Sequence, residues 1–117
     1  MNTKIEKPLT TKPSLVITAS LIEEAARLQG IETPSAIIRK NNTRTLSRTR
    51  FGLIWVMRHL GFTLTRIRDH LGFKDHTSVM YGFEMAMQLR VEDPEFRELT
   101  DTLLAFAQSI EPQVKAA

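Results

Sequence analysis

The stretch Thr63-Leu64-Thr65-Arg66-Ile67-Arg68-Asp69-His70-Leu71-Gly72-Phe73-Lys74-Asp75-His76-Thr77-Ser78-Val79 decides how this chain is read. Thr63 is a helix-capping residue type, and Leu64, Ile67 and Leu71 follow at i, i+3 and i+7, which gives a short helix one apolar face. Gly72 stops that helix, and after the link Gly72-Phe73-Lys74 the cap-type Asp75 opens a longer one carrying Val79, Met80, Phe83, Ala86, Met87 and Leu89 to about Val91. A short helix, a glycine turn and a second helix, polar in its first turn and apolar later, has the anatomy of a helix-turn-helix. In such motifs the opening residues of the second helix enter the major groove while its later turns stay packed in the domain. Here they are Lys74, Asp75, His76, Thr77 and Ser78. Asp75 can accept from cytosine N4, Thr77 and Ser78 can bond base edges or offer a methyl, and His76 can donate or contact thymine. The free N–H groups of the same turn suit a phosphate.

Outward from this core the pattern stays helical. From Ser14, Leu21, Ile22, Ala25 and Leu28 predict a first helix ending near Gly30, while residues 1–13 carry Lys4, Lys7, Lys12, Pro8 and Pro13 and read as a mobile tail. Thr33 and Pro34 open a short turn of helix through Ile38. Arg39 to Leu46 has no apolar period and reads as a basic loop, after which Ser47 is expected to cap a helix ending at Gly61. In that helix Phe51, Leu53, Ile54, Trp55, Met57 and Leu60 suffice for burial on several sides. Asp93 and Pro94 open a last helix, on which Phe96, Leu99, Leu103, Phe106 and Ile110 share a face until Pro112, leaving 112–117 as tail. The expected fold is all-α, five to six helices in one domain over 14–111, without internal repeats.

Charge is divided along the chain. Between Arg39 and Lys74 nine cations, Arg39, Lys40, Arg44, Arg48, Arg50, Arg58, Arg66, Arg68 and Lys74, stand against Asp69 alone. Between Glu84 and Glu111 seven acids stand against Arg90 and Arg97. The net charge of +3 hides this polarity, which favours a polyanion on the basic side and turns the acidic segment away from it. The absence of cysteine excludes disulfides, thiolate metal sites and cysteine nucleophiles, and fits a reducing compartment such as the cytoplasm. No apolar run is long enough to span a membrane, and Glu23 and Glu24 close the apolar stretch Leu15–Ile22 before it can serve as a signal peptide.

The octet Gly72-Phe73-Lys74-Asp75-His76-Thr77-Ser78-Val79 resembles the signature of the C-terminal DNA-binding domain of the bacterial replication initiator DnaA, a Gly-Gly-Arg-Asp-His-Thr-Thr-Val run that begins its recognition helix. Ser47-Arg48-Thr49-Arg50 and the helix to Leu60 resemble that family's basic segment and following helix, and Leu64-Thr65-Arg66-Ile67 its Leu-Pro-Glu-Ile helix; the likeness runs from about Ser14 to about Phe106. The resemblance implies a helix-turn-helix related in fold to the Trp repressor, bound singly to a short asymmetric duplex box. By it Asp75, His76, Thr77 and Ser78 meet bases and Arg50 and Arg58 hold phosphates; Lys74 is expected beside the base-reading residues, and Arg44, Arg48 and Thr65 at the backbone or minor groove. The chain departs from the family at Asn42, where a minor-groove arginine is usual and Arg44 is the candidate substitute, and at Arg68, Gly82 and Met85, differences that bear on which box is read. The initiator's ATPase needs a Gly-rich phosphate cradle, and none of the five glycines here belongs to one.

Blander roles compete at each position. His76 can be a local cap, and Asp75 can cap the helix with one oxygen while facing a base with the other. His59 and His70 have no partners at metal-ligand spacing, so no metal or cofactor is expected, and Asp69 beside His70 has no nucleophile with which to act as an enzyme. Trp55 reads as core rather than a stacking platform, and Met80, Met85 and Met87 as core filling rather than a partner groove. A functional alternative is a protein-interaction module, in which the acidic last helix (Glu95, Glu98, Asp101) or the methionine helix docks a partner.

Overall fold

The computed structural model describes residues 6–38 and 43–116, with side chains over 14–38 and 43–112. Its elements are α1 (Glu6–Gln29), a 3-10 turn (Pro34–Ile38), α2 (Arg44–His59), α3 (Leu64–Leu71), α4 (His76–Glu92) and α5 (Pro94–Ala116); the described residues contain no strand. The fold is all-α.

Helix α2 is the hub and packs against every other element, while α1 and α5 also pack on each other. Leu53, Ile54, Trp55, Val56 and Met57 are five consecutive residues and all buried, so this helix has no solvent face over more than one turn. Around it close Ile17, Leu21 and Ala25 from α1, Ile37 from the 3-10 turn, Ile67 and Leu71 from α3, Val79 and Ala86 from α4, and Phe96, Leu103 and Ala107 from α5. A helix apolar on all sides needs such a surround to cover it.

Three boundaries differ from the sequence expectation. Helix α2 begins at Arg44 rather than after Ser47, because Thr43 is its cap, its Oγ1 accepting from the Leu46 N–H at 3.2 Å. Leu46 is buried, so the apolar face starts there, behind two exposed residues, Arg44 and Thr45, that hide the periodicity. Residues 39–42 of the expected basic loop, including Asn42, lie outside the described residues. Helix α1 runs back to Glu6, into the stretch set apart as tail, although residues 1–5 and the side chains up to Pro13 are outside the description. Helix α5 continues through Pro112 to Ala116. Proline removes the bond to the carbonyl four residues back, here that of the exposed Gln108, which water can satisfy.

The methionines also differ. Met80 and Met87 are about half exposed, because α4 meets α2 through its small residues Gly82 and Ala86. A Cβ on Gly82 would come within 2.4 Å of Ile54 Cδ1, so the glycine permits the close approach of α4 to α2. Leu28, expected on the apolar face of α1, is likewise exposed.

Candidate nucleic-acid interface

The geometry of the α3–α4 pair follows from its caps. Thr63 accepts from the Arg66 N–H at 3.1 Å and starts α3. Gly72 ends it in the left-handed region (φ 76), and the Phe73 N–H returns to the Arg68 carbonyl at 3.0 Å. That conformation costs an L side chain strain that glycine avoids. Asp75 then starts α4, its Oδ1 accepting from the Ser78 N–H at 3.0 Å and from the Ser78 hydroxyl at 3.3 Å. Ile67, Leu71, Val79 and Ala86 anchor both helices in the core.

This anchoring leaves the opening turn of α4 outside. Lys74, Asp75, His76 and Thr77 are exposed and Ser78 is half-buried. The cap occupies Oδ1 of Asp75, so Oδ2 is the oxygen with which the carboxylate can face a ligand. Both roles read from the sequence for Asp75 are therefore compatible. The Ser78 hydroxyl is already engaged by the cap, and His76 carries no part of it.

Hydrogen bonds from the Ser78 backbone, the largest influence, with smaller ones from the Ser78 hydroxyl and Thr77, hold the Asp75 carboxyl below the usual aspartate range. Burial pushes the Asp93 carboxyl up, but the Phe96 and Glu95 N–H groups and Arg48 outweigh it and hold the group low as well. A carboxyl whose folded pKa is depressed stabilises the fold above its unfolded pKa and loses that contribution as pH falls through the folded value. On acidification below the ordinary aspartate value of about 3.9, the Ser78 amide is therefore expected to lose hydrogen-exchange protection in the native protein. Asp75→Asn, which caps without titrating, is expected to keep that protection over the same range. Equal acid sensitivity in both proteins would show that the cap is not the titrating contact.

The five residues expected at the DNA backbone divide into two groups. Arg44, Arg58 and Thr65 are exposed, in the first turn of α2, the last turn of α2 and the first turn of α3. Arg58 also closes the α2–α3 connection by donating to the Phe62 carbonyl at 2.8 Å. Arg48 instead pairs with Asp93, the residue that caps α5, and lies over the Phe96 ring at 5.6 Å. Arg50 points inward: it is 7% exposed, and its Nε donates to the Ile37 carbonyl while Nη2 donates to that of Ala36 at 3.3 Å. Burial lowers the pKa of its guanidinium. In the structure Arg48 is thus tied to α5 and Arg50 is bonded to the 3-10 turn, while Arg44, Arg58 and Thr65 stay exposed. Arg68 pairs with Asp69 at 3.0 Å.

Tyr81 lies outside the residues expected at the interface. It is 57% exposed, one turn after Thr77 on α4, and meets the Phe51 ring edge-on at 6.0 Å. The i, i+4 spacing from Thr77 is the signal that could have found it. The remaining histidines are structural: His59 stacks on Trp55 with centroids 3.9 Å apart, and His70 Nε2 lies 3.1 Å from the Ser14 hydroxyl, joining α3 to α1. Burial, then the charge of Arg66, lowers the His70 pKa.

The chain is 34% identical over 95 residues to the chromosomal replication initiator protein DnaA of Neisseria meningitidis serogroup C, covering 80% of this chain and 18% of that protein. It is 30% identical over 108 residues to the same initiator from a Synechococcus species, covering 89% of this chain and 23% of that protein. The chain thus spans about a fifth of the length of the curated relatives it matches. No protein-family profile and no solved structure matches it.

Proposed function

We propose that this chain, a homologue of the replication initiator DnaA over 80% of its own length, binds double-stranded DNA and selects sequence through the first turn of α4. In this reading His76, Thr77, Lys74 and the Oδ2 of Asp75 face base edges, with Ser78 supporting the turn as well as touching the groove. Arg44, Arg58, Thr65 and the Tyr81 hydroxyl hold phosphates or the minor groove. The observation that carries it is the opening turn of α4, exposed and polar between a fixed glycine turn and the buried Val79. The biological role that follows is control of replication initiation or of transcription, in the cytoplasm and as a monomer on DNA. No ATPase activity is proposed for these residues.

Fluorescence anisotropy against random duplex at low salt tests the reading, with weak binding that falls steeply as salt rises as the expected result. Arg58→Ala is expected to weaken all duplexes alike and to shallow the logarithmic salt dependence by about one unit. An unchanged slope would take Arg58 off the phosphates. Selection from a random duplex pool should return an asymmetric A·T-rich box; a palindrome would mean paired half-sites and a dimer.

One observation favours the second reading, a protein-docking module. Met80, Met87 and Val91 are exposed on α4, Val91 at 84%, and Glu95 and Glu98 are exposed on α5, whereas Asp101 is held by Arg90 at 2.7 Å. Such a module would give no anisotropy change with random duplex at any salt, which separates the two.

A further inference from the structure

We infer that Arg50 is a positioning residue for the base-reading turn, acting from inside the core through the 3-10 turn Pro34–Ile38; this rests on the DNA-binding reading above. The chain of contacts is continuous. From the second turn of α2 the Arg50 guanidinium donates to the carbonyls of Ile37 and Ala36, and Ile37 is fully buried beside it. The next residue, Ile38, presents its carbonyl oxygen to Gly72, so closely that a Cβ there would stand 3.2 Å from it. Gly72 is the glycine of the helix-turn-helix, three residues before the Asp75 cap. The seat of the reading turn is therefore the backbone of the 3-10 turn, and the seat is fixed by one planar side chain bonding two carbonyls at once. Lysine offers a point charge on a flexible stem and cannot reproduce that fork.

This role and a phosphate contact make opposite predictions for a charge-retaining change. A phosphate contact survives Arg50→Lys and weakens every duplex in Arg50→Met. A brace fails in both variants, and it fails for the selected duplex more than for random duplex, because only base contacts need the turn in register. The experiment measures binding of the full chain to the selected box and to random duplex for wild type, Arg50→Lys and Arg50→Met, with amide exchange of the Phe73 to Ser78 stretch in each free protein. The expected result is a loss of about tenfold or more on the selected box in both variants, a much smaller loss on random duplex, and faster exchange confined to that stretch. Gly72→Ala strains the turn directly and is the control that shows what loss of register looks like; if Arg50→Met does not fold, Arg50→Lys carries the test. Retained selectivity in Arg50→Lys, or unchanged exchange in the free variants, overturns the positioning role while leaving DNA binding in place. Wild type that binds no duplex overturns the DNA reading, and the exchange data then report only on the brace.

Discussion

Trp55→Ala is expected to lower the unfolding free energy by about 3–5 kcal/mol, measured by urea denaturation. The indole is 7% exposed at the middle of α2, with His59 stacked on it and the Arg90 guanidinium 4.0 Å from its ring centroid. Arg90 in turn donates to the Thr100 hydroxyl and to Asp101, so the ring supports the contact by which α4 is held to α5. Removing it opens a large cavity and unseats a cation at the same time. A domain of this size has a total stability of roughly 5–15 kcal/mol, so the variant should be partly unfolded at low denaturant. Trp55→Phe, which keeps a ring under Arg90, should lose much less. If Trp55 were instead a base-stacking platform, Trp55→Ala would leave the urea midpoint nearly unchanged and lower DNA affinity alone.

The helices were legible because their ends are written in local chemistry. Thr63, Asp75 and Asp93 each cap through a hydrogen bond three residues long, and Gly30 and Gly72 end their helices in the left-handed region, so five boundaries depend on neighbours in sequence. The polar opening of α4 was legible for the same reason. The direction of an arginine was not. Arg48 and Arg50 lie in a run of cations that reads as a phosphate-binding stretch, yet their partners are Asp93, 45 residues on, and Ile37, 13 residues back. No local pattern encodes those pairings, and the charge count therefore overstated the surface offered to a polyanion. The exposed methionines follow the same logic: helix contacts made through Gly82 and Ala86 carry almost no hydrophobic signal, while Met80 and Met87 carry a strong one on the other face.

His76→Ala is expected to weaken binding to the selected box by about 1–3 kcal/mol while leaving binding to random duplex nearly unchanged, as read by anisotropy on both duplexes at one salt concentration. The structure makes this substitution clean. The bonds that start α4 belong to Asp75 and Ser78, so removing an exposed imidazole from the next position leaves the cap, the turn and the core untouched. Alanine at the first helical position is also a good helix former, so a loss of affinity cannot be charged to a frayed helix. Asp75→Asn supplies the complementary case: the cap survives, but a carboxylate that only accepts becomes an amide that also donates, which should change the preferred base rather than remove preference. The two variants together separate a turn that reads bases from a turn that merely sits against phosphate. Equal losses on box and random duplex for His76→Ala would place the histidine on the backbone, and the sequence choice would then have to come from Thr77 and the shape of the duplex.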